Sequence, residues 1–506
     1  MHNSVEVVGE WTPYHELTAQ DSAVFDEALK GLVGVTYRPL EVATQIVAGT
    51  NYRYKCRAKL SGANSLQWEA IVDVFQPLPE TGESPKMVAT TTVATEWTDQ
   101  DQERVATLLN ELDAMLVLPN GGMSKTGALI QESLSEVCNP QLNPDPERRA
   151  FWYPYRNDEQ PISEFFSTWL YYAPAPEGLG PGYYIEQWDY LANTQAGLIL
   201  NNEDQRFKTW FIAFLNLHGE WLNSKASNST IDQWMSYTGT PSHPFDINEY
   251  IVPEGGFQSF NQFFLRELKP GMRPMCSCAD DPNIVVSPCD GGTFYLTRGQ
   301  LEGNAFPLPG KSHDTFEIMQ AIPGYGASFV GGPLLDTLLW FTDYHHFRAP
   351  VSGTVIHQGV YEGSYNYDFD NYDPNDPYAP TLSADSDRVG WYQSLGKHKR
   401  YVWIFRTESL GLVAMIAIGF WGVGSIINEV PAGASLKKGD RMGNFGYGGS
   451  SIVLAFEPNL DLQFGVQEQG KDNTVDTKHV GDPDHPTLMK IQQCFGKRTP
   501  PLKWAD

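Results

Sequence analysis

Three short stretches of the chain hold side chains able to do chemistry. "VVSPCDGGTF" sets Asp290 between an apolar strand and two glycines. "FTDYHHFRAPVSGTV" carries Asp343, His345, His346 and Arg348. "FGYGGSSIVLAFEP" places Gly449 and Ser450 at the mouth of an apolar run, Ile452 to Phe456, that reads as a short buried strand. Hydroxyl, imidazole and carboxylate are the groups of nucleophilic and acid–base catalysis. Each stretch also has a plain structural reading: an Asp-Gly turn, a hydrogen-bonded pair of histidines, a Gly-Ser turn. Cys276 and Cys278 form a lone C-x-C with no second cysteine or histidine pair at ligand spacing, so no metal is expected.

The elements that must position these groups fall into three sections, and the fold class they indicate is α+β. In residues 1–97, "TAQDSAVFDEALKGLVG" has apolar residues at helical spacing, and "TQIVAGTNYRYKCRAKL" and "WEAIVDVFQPLP" alternate as strands do. Residues 98–270 read as mostly helical. "TDQDQERVATLLNELDAML" is a capped, periodic helix, and "EDQRFKTWFIAFLNLHGEWLNS" sets Phe207, Phe211, Phe214 and Leu215 on one face. His218 on that helix reads as packing or surface rather than as a ligand. Residues 271–506 are glycine-rich with short strands at regular spacing, and all three reactive stretches lie there.

Composition narrows the function classes. The chain has 506 residues, 41% of them hydrophobic and 13% aromatic, which is enough to build several cores. A formal net charge of −26 argues against nucleic acid and against anionic membranes, which recruit basic surfaces. No apolar run approaches the roughly 18 residues that span a bilayer, and the first residues lack the pattern of a signal peptide. Six scattered cysteines read as reduced thiols, so a cytoplasmic protein is expected.

Taken together, the reactive stretches resemble the phosphatidylserine decarboxylase family. "SFNQFFLRELKPGMRP" (259–274) is similar to the lead-in to its catalytic domain, and "SPCDG" to its aspartate loop. "GGPLLDTLLWFTDYHHFRAPVSGTV" resembles its histidine segment and "KKGDRMGNFGYGGSSIVLAFEP" its processing site. The resemblance implies a pyruvoyl-dependent decarboxylase that makes its cofactor from its own chain, with neither a metal nor pyridoxal phosphate. The hydroxyl of Ser450 attacks the carbonyl of Gly449, an ester replaces the amide, and elimination followed by hydrolysis leaves a pyruvoyl group derived from Ser450. A β chain of residues 1–449 and an α chain from residue 450 then stay associated. The pyruvoyl forms a Schiff base with a substrate amine and acts as the electron sink for decarboxylation. His345 matches the histidine that the family assigns to proton donation.

One position departs from the family pattern. The usual D-Y-H-x-x-H-x-P here reads D-Y-H-H-F-R-A-P, so Arg348 stands where the serine-activating histidine, the partner of the aspartate matched by Asp290, belongs. Arginine cannot accept a proton in a protein. In a strand His346 and Arg348 share a face about 7 Å apart, so His346 is a candidate replacement base and Arg348 a candidate oxyanion donor. A third outcome is a chain that cleaves slowly or not at all.

Within the family, "ANTQAGLILNNEDQRFKTWFIAFLNLHGEWLNSK" and "GGSS" resemble a soluble branch typified by fungal tryptophan decarboxylases. This implies a free aromatic amino acid as substrate, with phosphatidylserine the alternative and a homodimer possible. The first section resembles the cystatins, and among them the stefins. Gln45 through Gly49, including Val47, match the Q-x-V-x-G loop, Pro77 the second loop and Gly9 the N-terminal arm. That resemblance implies either a wedge for a cysteine peptidase or the same fold kept as an assembly module.

Overall fold

A computed structural model of the chain describes residues 9–62, 66–241, 243–276, 279–297, 321–363, 398–420, 425–458, 460, 462–464 and 487–498. The architecture is α+β, as expected. In the first section helix α1 (Ala19–Ala28) lies on an antiparallel sheet of strands β1 (Val35–Val47), β2 (Gly49–Leu60), β3 (Gln67–Gln76) and β4 (Lys86–Val93), joined in sequence order. Thr18 and Asp21 form a reciprocal capping box that starts the helix. Strand alternation is regular: Tyr52, Tyr54, Cys56, Ala58 and Leu60 of β2 all point into the core, where Phe25 meets Tyr54 edge-on at 4.8 Å.

The middle section is helical: α2 (Asp99–Leu116), α3 (Lys125–Val137), α4 (Pro146–Arg156), α5 (Ile162–Leu170), α6 (Tyr183–Ala192), α7 (Gln195–Asn202), α8 (Gln205–Asn223) and α9 (Ile231–Ser236). After α9 come a short hairpin, β5 (Gly239–Thr240) and β6 (His243–Pro244), and helix α10 (Phe260–Phe264). The predicted face of α8 is buried at Phe207, Phe211, Phe214 and Leu215, and His218 packs with them. The section joins the first one through a parallel bridge from Thr95 to Ser224.

The last section is built on strands β7 (Ile284–Val286), β8 (Gly291–Thr297), β9 (Leu334–Leu339), β10 (His346–Arg348), β11 (Gly353–Tyr361), β12 (Lys399–Arg406) and β13 (Leu412–Phe420). They continue with β14 (Ile426–Asn428), β15 (Ser435–Leu436), β16 (Arg441–Phe445), β17 (Gly449–Phe456), β18 (Leu462–Phe464), β19 (Thr487–Met489) and β20 (Cys494–Arg498). Eight of them form one sheet in the order β15-β11-β12-β13-β17-β9-β8-β19. Two three-stranded sheets, β10-β16-β14 and β18-β20-β7, accompany it. Both faces of the large sheet are apolar, which is why its strands read as continuous hydrophobic runs. Ile416, Val453 and Ala455 join the core of the helical section. Met415, Ile452 and Leu454 pack with Phe347, Met442 and Phe445 of the β10-β16-β14 sheet on the other side. Strand β17 is therefore the buried centre of the section.

One expectation is corrected. Cys276 and Cys494 are not reduced thiols: they form a disulfide between residues 218 positions apart, with Cα atoms at 5.7 Å. Pairing of β20 with β7 brings the two together, a proximity no local spacing reveals. Cys56, Cys138 and Cys289 are free and buried. Cys278 lies outside the described residues.

Candidate active site

The register of the large sheet gathers the three reactive stretches at one end. Ser450 is paired with Gly419 on one side and Leu339 on the other. One row further, Leu338 pairs with Gly292, and Gly291 pairs with Met489. From Ser450 to Gly291 is thus two strand spacings, about 10 Å, and Asp290 directly precedes Gly291. The turn leaving β9 at Leu339 leads within a few residues to Asp343 and His345. A strand order of β17-β9-β8-β19 is what brings together side chains that are far apart in sequence.

Two glycines shape the mouths of these strands. Gly291 has φ +151°, and a Cβ there would meet the Leu338 carbonyl oxygen at 2.5 Å, so the neighbouring strand could not approach. Gly448 has φ +135° and makes the turn into β17. Gly449 is held in the strand opposite Phe420.

Ser450 is fully buried and its Oγ has no hydrogen-bond partner among the described residues. Alternation puts its side chain on the face of Ile452 and Leu454. Ser451 faces the other way and donates to Asp336.

His345 is also fully buried. Its Nδ1 lies 3.0 Å from the Asp343 carbonyl oxygen, which can only accept, so Nδ1 carries the proton and Nε2 is the basic nitrogen. Nε2 has no partner among the described residues. Burial, with Arg266 adding to it, keeps the ring neutral by holding its pKa well below the usual histidine value. The ring packs on Phe264 at 3.9 Å, and Phe264 packs on Tyr447 at 5.5 Å. Phe341 meets Tyr447 at 5.9 Å, so a run of ring contacts leads from His345 to Tyr447, the residue before Gly448. Arg266, buried beneath, donates to the carbonyls of Thr342 and Asp343 at 2.6 and 3.0 Å and fixes the turn that carries His345.

Asp290 is fully buried and accepts from Arg273 at 3.2 Å, Lys490 at 3.3 Å and the backbone N–H of Ile491 at 2.8 Å. Lys490 also lies 3.7 Å from Asp343. Burial would lower the Lys490 pKa, but Asp290 and Asp343 outweigh it and keep the ammonium charged. Asp343 is pushed up to about 6, chiefly by burial and with Asp290 adding to it, while Lys490 opposes the shift. Lys490 and Arg273 were not singled out in the sequence. Arg273 lies inside the 259–274 stretch without a pattern of its own, and only the sheet register brings Lys490 to Asp290.

His346 and Arg348 go elsewhere. Phe347 between them points into the core against Trp403 and Phe445, so His346 projects from the opposite face. Its Nε2 is 3.0 Å from the Leu265 carbonyl oxygen and 3.6 Å from Glu267. It lines a cavity of about 30 Å³ with Tyr37, Trp68 and Thr90, under the first section. Burial would raise the Glu267 carboxyl, but His346 and Arg441 outweigh that and hold it at about 2. A bulge follows Phe347, and Arg348 donates to the Gly439 carbonyl at 2.9 Å. Among the described residues no hydrogen bond joins either side chain to Ser450 or Asp290.

At the far end of the first section, Gly9, the β1–β2 hairpin and the segment after β3 come together. The Gln45 side chain donates to the Gly9 carbonyl at 3.0 Å, and Thr50 pairs with Gln76, the residue before Pro77. Val47 and Leu78 are 39% and 43% exposed there. The section's contacts with the rest of the chain, among them those of Val33, Thr90, Thr92 and Thr95, lie elsewhere.

The family model for phosphatidylserine decarboxylase matches residues 260–475. Phosphatidylserine decarboxylase proenzyme of Clostridium novyi is 30% identical over 250 residues, 48% of this chain and 74% of its own length. The chain belongs to the phosphatidylserine decarboxylase family. Decarboxylase iboD of Amanita muscaria is 26% identical over 306 residues, covering 54% of this chain and 83% of that protein. Phosphatidylserine decarboxylase proenzyme 3 of Schizosaccharomyces pombe is 32% identical over 267 residues, 52% of this chain, and the match spans only 24% of that longer relative. The family consists of carboxy-lyases that depend on a pyruvoyl group. Such a group needs a serine after a residue with a reachable carbonyl. Ser450, with its unpartnered buried hydroxyl behind Gly449, fits that need. Among the described residues no group of three or more His, Cys, Asp or Glu side chains is placed to hold a metal ion, and no helix is long and apolar enough to cross a membrane.

Proposed function

We propose that this decarboxylase cleaves itself at Gly449–Ser450 and acts on a free aromatic L-amino acid, tryptophan foremost. The observation that supports the reading is the pair of buried, unpartnered groups near one end of the large sheet, the Ser450 hydroxyl and His345 Nε2, with ring contacts running from His345 through Phe264 to Tyr447, three residues before Ser450. In cleavage the Ser450 oxygen bonds to the Gly449 carbonyl carbon and its proton passes to a base. The peptide C–N bond breaks to give an ester and its nitrogen takes up a proton to become an amine. Removal of the Ser450 α-proton then expels the Gly449 carboxylate, and water adds to the dehydroalanine left behind, which loses ammonia as the pyruvoyl group forms. We assign the base to His345 because its Nε2 carries no competing partner among the described residues, whereas His346 is turned to Glu267 and Arg348 to Gly439. The two chains stay together, since β17 remains paired on both sides with strands of the other chain.

The pyruvoyl group derived from Ser450 supplies the electron sink for loss of carbon dioxide. The protein's own groups do the rest. Phe264, Phe341 and Tyr447, packed on one another, keep water from His345. His345 carries the proton, and Lys490 and Arg273 hold the charge of Asp290 nearby. The resemblance of residues 192–225 to the tryptophan-decarboxylase branch supports this substrate class. Mass spectrometry of the purified protein, followed by carbon dioxide release from tryptophan, phenylalanine, tyrosine and phosphatidylserine, tests the reading. Two fragments and turnover of tryptophan are expected. An uncleaved chain, or turnover of phosphatidylserine alone, overturns it.

A second role rests on the exposed Val47 and Leu78, clustered with Gly9 at the free end of the first section. These form an edge suited to the cleft of a cysteine peptidase. Titration of papain with the intact protein tests it.

A further inference from the structure

We infer that the Cys276–Cys494 disulfide is an interchain bond of the mature protein, covalently joining the two chains that self-cleavage produces and clamping the Asp290 cluster from both of them. The inference rests on the cleavage reading above. The Gly449–Ser450 bond lies between the two cysteines in sequence, so cutting it leaves Cys276 in the first fragment and Cys494 in the second. The disulfide then becomes the covalent connection between them.

Its position ties it to the site. Arg273, three residues before Cys276, donates to Asp290 from the first fragment. Lys490 and Ile491, shortly before Cys494, donate to the same carboxylate from the second. The backbones around the bond are stitched as well: Cys276 N–H to the Gln492 carbonyl at 3.3 Å, Ser287 N–H to the Gln493 carbonyl at 2.8 Å, and Gln492 N–H to the Ser287 carbonyl at 2.9 Å. The disulfide is buried, Cys276 and Cys494 being 6% and 4% exposed, which shields it from small thiols in the folded state. A buried carboxylate needs every donor it has, and here the donors come from two chains. A covalent link beside them prevents the second fragment from drifting off that carboxylate after the backbone is cut. Opening the link takes two electrons and two protons from a dithiol reductant, which is itself oxidised to a disulfide, and yields two thiols.

The test uses the full-length protein, with free thiols blocked by N-ethylmaleimide at lysis. On a denaturing gel without reductant one band at the full-length mass is expected. With dithiothreitol two bands are expected, residues 1–449 and the fragment beginning at residue 450. A non-reduced proteolytic digest is expected to contain a linked peptide pair bearing Cys276 and Cys494, and C494S is expected to give two bands with or without reductant. Blocking of both Cys276 and Cys494 at lysis, with two bands in the absence of reductant, overturns the inference. A single full-length band under reducing conditions overturns the cleavage reading instead, and the linked peptide still decides whether the disulfide exists.

Discussion

His345 gives its Nδ1 proton to the carbonyl oxygen of Asp343, two residues earlier, at 3.0 Å, and this bond leaves Nε2 as a buried base with no partner among the described residues. Arg266 holds the same carbonyl at 3.0 Å, so the ring's tautomer is set by backbone geometry. Substituting His345 by Ala is expected to lower decarboxylation by about two to four orders of magnitude, the range for loss of a positioned proton carrier. Cleavage, read by gel, should slow as well. His346→Gln is expected to leave cleavage within a few-fold of the parent while lowering the thermal midpoint, because His346 binds Leu265 and Glu267. Cleavage abolished by His346→Gln and untouched by His345→Ala would reverse the assignment.

Ser450→Ala is expected to stay as one full-length band under reducing conditions. It should also fold well. A buried hydroxyl without a partner costs roughly 1–3 kcal/mol, so removing it should hold or raise stability, by about 1 kcal/mol in urea unfolding. A full-length variant that is strongly destabilised would show that Ser450 has a structural partner outside the described residues.

Asp343 links pH to the site. Its carboxyl is raised to about 6 by burial, with Asp290 adding to the shift and the ammonium of Lys490 opposing it. Below that value Asp343 gains a proton and loses its charge pairing with Lys490. The pH profile of decarboxylation is therefore expected to show an acidic limb near pH 6. Replacing Lys490 by Met removes the group that lowers the Asp343 pKa, so the limb should move to higher pH. Asp343→Asn should abolish it. A limb that ignores both substitutions belongs to another group.

Much of this site was legible in the sequence, and what was missed has a common cause. The "SPCDG", "DYHHFR" and "GGSS" stretches carry their own signals of glycine, carboxylate, imidazole and hydroxyl, and the register of the large sheet brings their ends together. Strand alternation gives His346 and Arg348 a common face, but a bulge shifts the register between Phe347 and Arg348. Alternation alone does not say which face looks toward Ser450, and packing of Phe347 on Trp403 and Phe445 decides that. Lys490 reaches Asp290, and Cys494 reaches Cys276, only because β19 pairs with β8 and β20 with β7. Pairings between residues some 200 positions apart leave no local pattern. The helix α8 shows the opposite case: its buried face follows from 3.6-residue periodicity within one segment.

His218 on that helix gives a prediction about acid stability. It is buried among Phe214, Trp221 and Tyr447, with Nδ1 on the Leu170 carbonyl at 2.9 Å, and burial lowers its pKa to about 4. A folded-state value below the unfolded value of about 6.5 contributes stability that is present above pH 6.5 and lost as pH falls toward 4. The full loss is about 3 kcal/mol. His218→Phe keeps the ring packing and removes the proton uptake. Urea unfolding at pH 7.5 and 4.5 should show a smaller gap in the variant than in the parent, against a cost of about 1 kcal/mol at pH 7.5 for the lost hydrogen bond. An unchanged gap would place the acid sensitivity elsewhere.

The edge at Val47 and Leu78 can be separated from the enzyme. The first section is not detachable: Ile427 of β14 is buried in its core, Thr90 donates to Glu429, and Arg441 bonds Glu429, Glu267 and the Thr90 carbonyl. Deleting residues 1–97 should therefore leave Glu429 and Arg441 exposed and lower both solubility and decarboxylation, which makes truncation a poor test of peptidase binding. The double variant V47D/L78D is the better one. Both side chains are more than a third exposed and lie away from those contacts, so thermal midpoint and decarboxylation should match the parent within error. If the edge enters a peptidase cleft, two carboxylates there must be desolvated on binding, and inhibition of papain should weaken at least tenfold, about 1.4 kcal/mol. Equal inhibition by parent and variant would move the peptidase contact off this edge, and no inhibition by the parent would leave the first section as an assembly module alone.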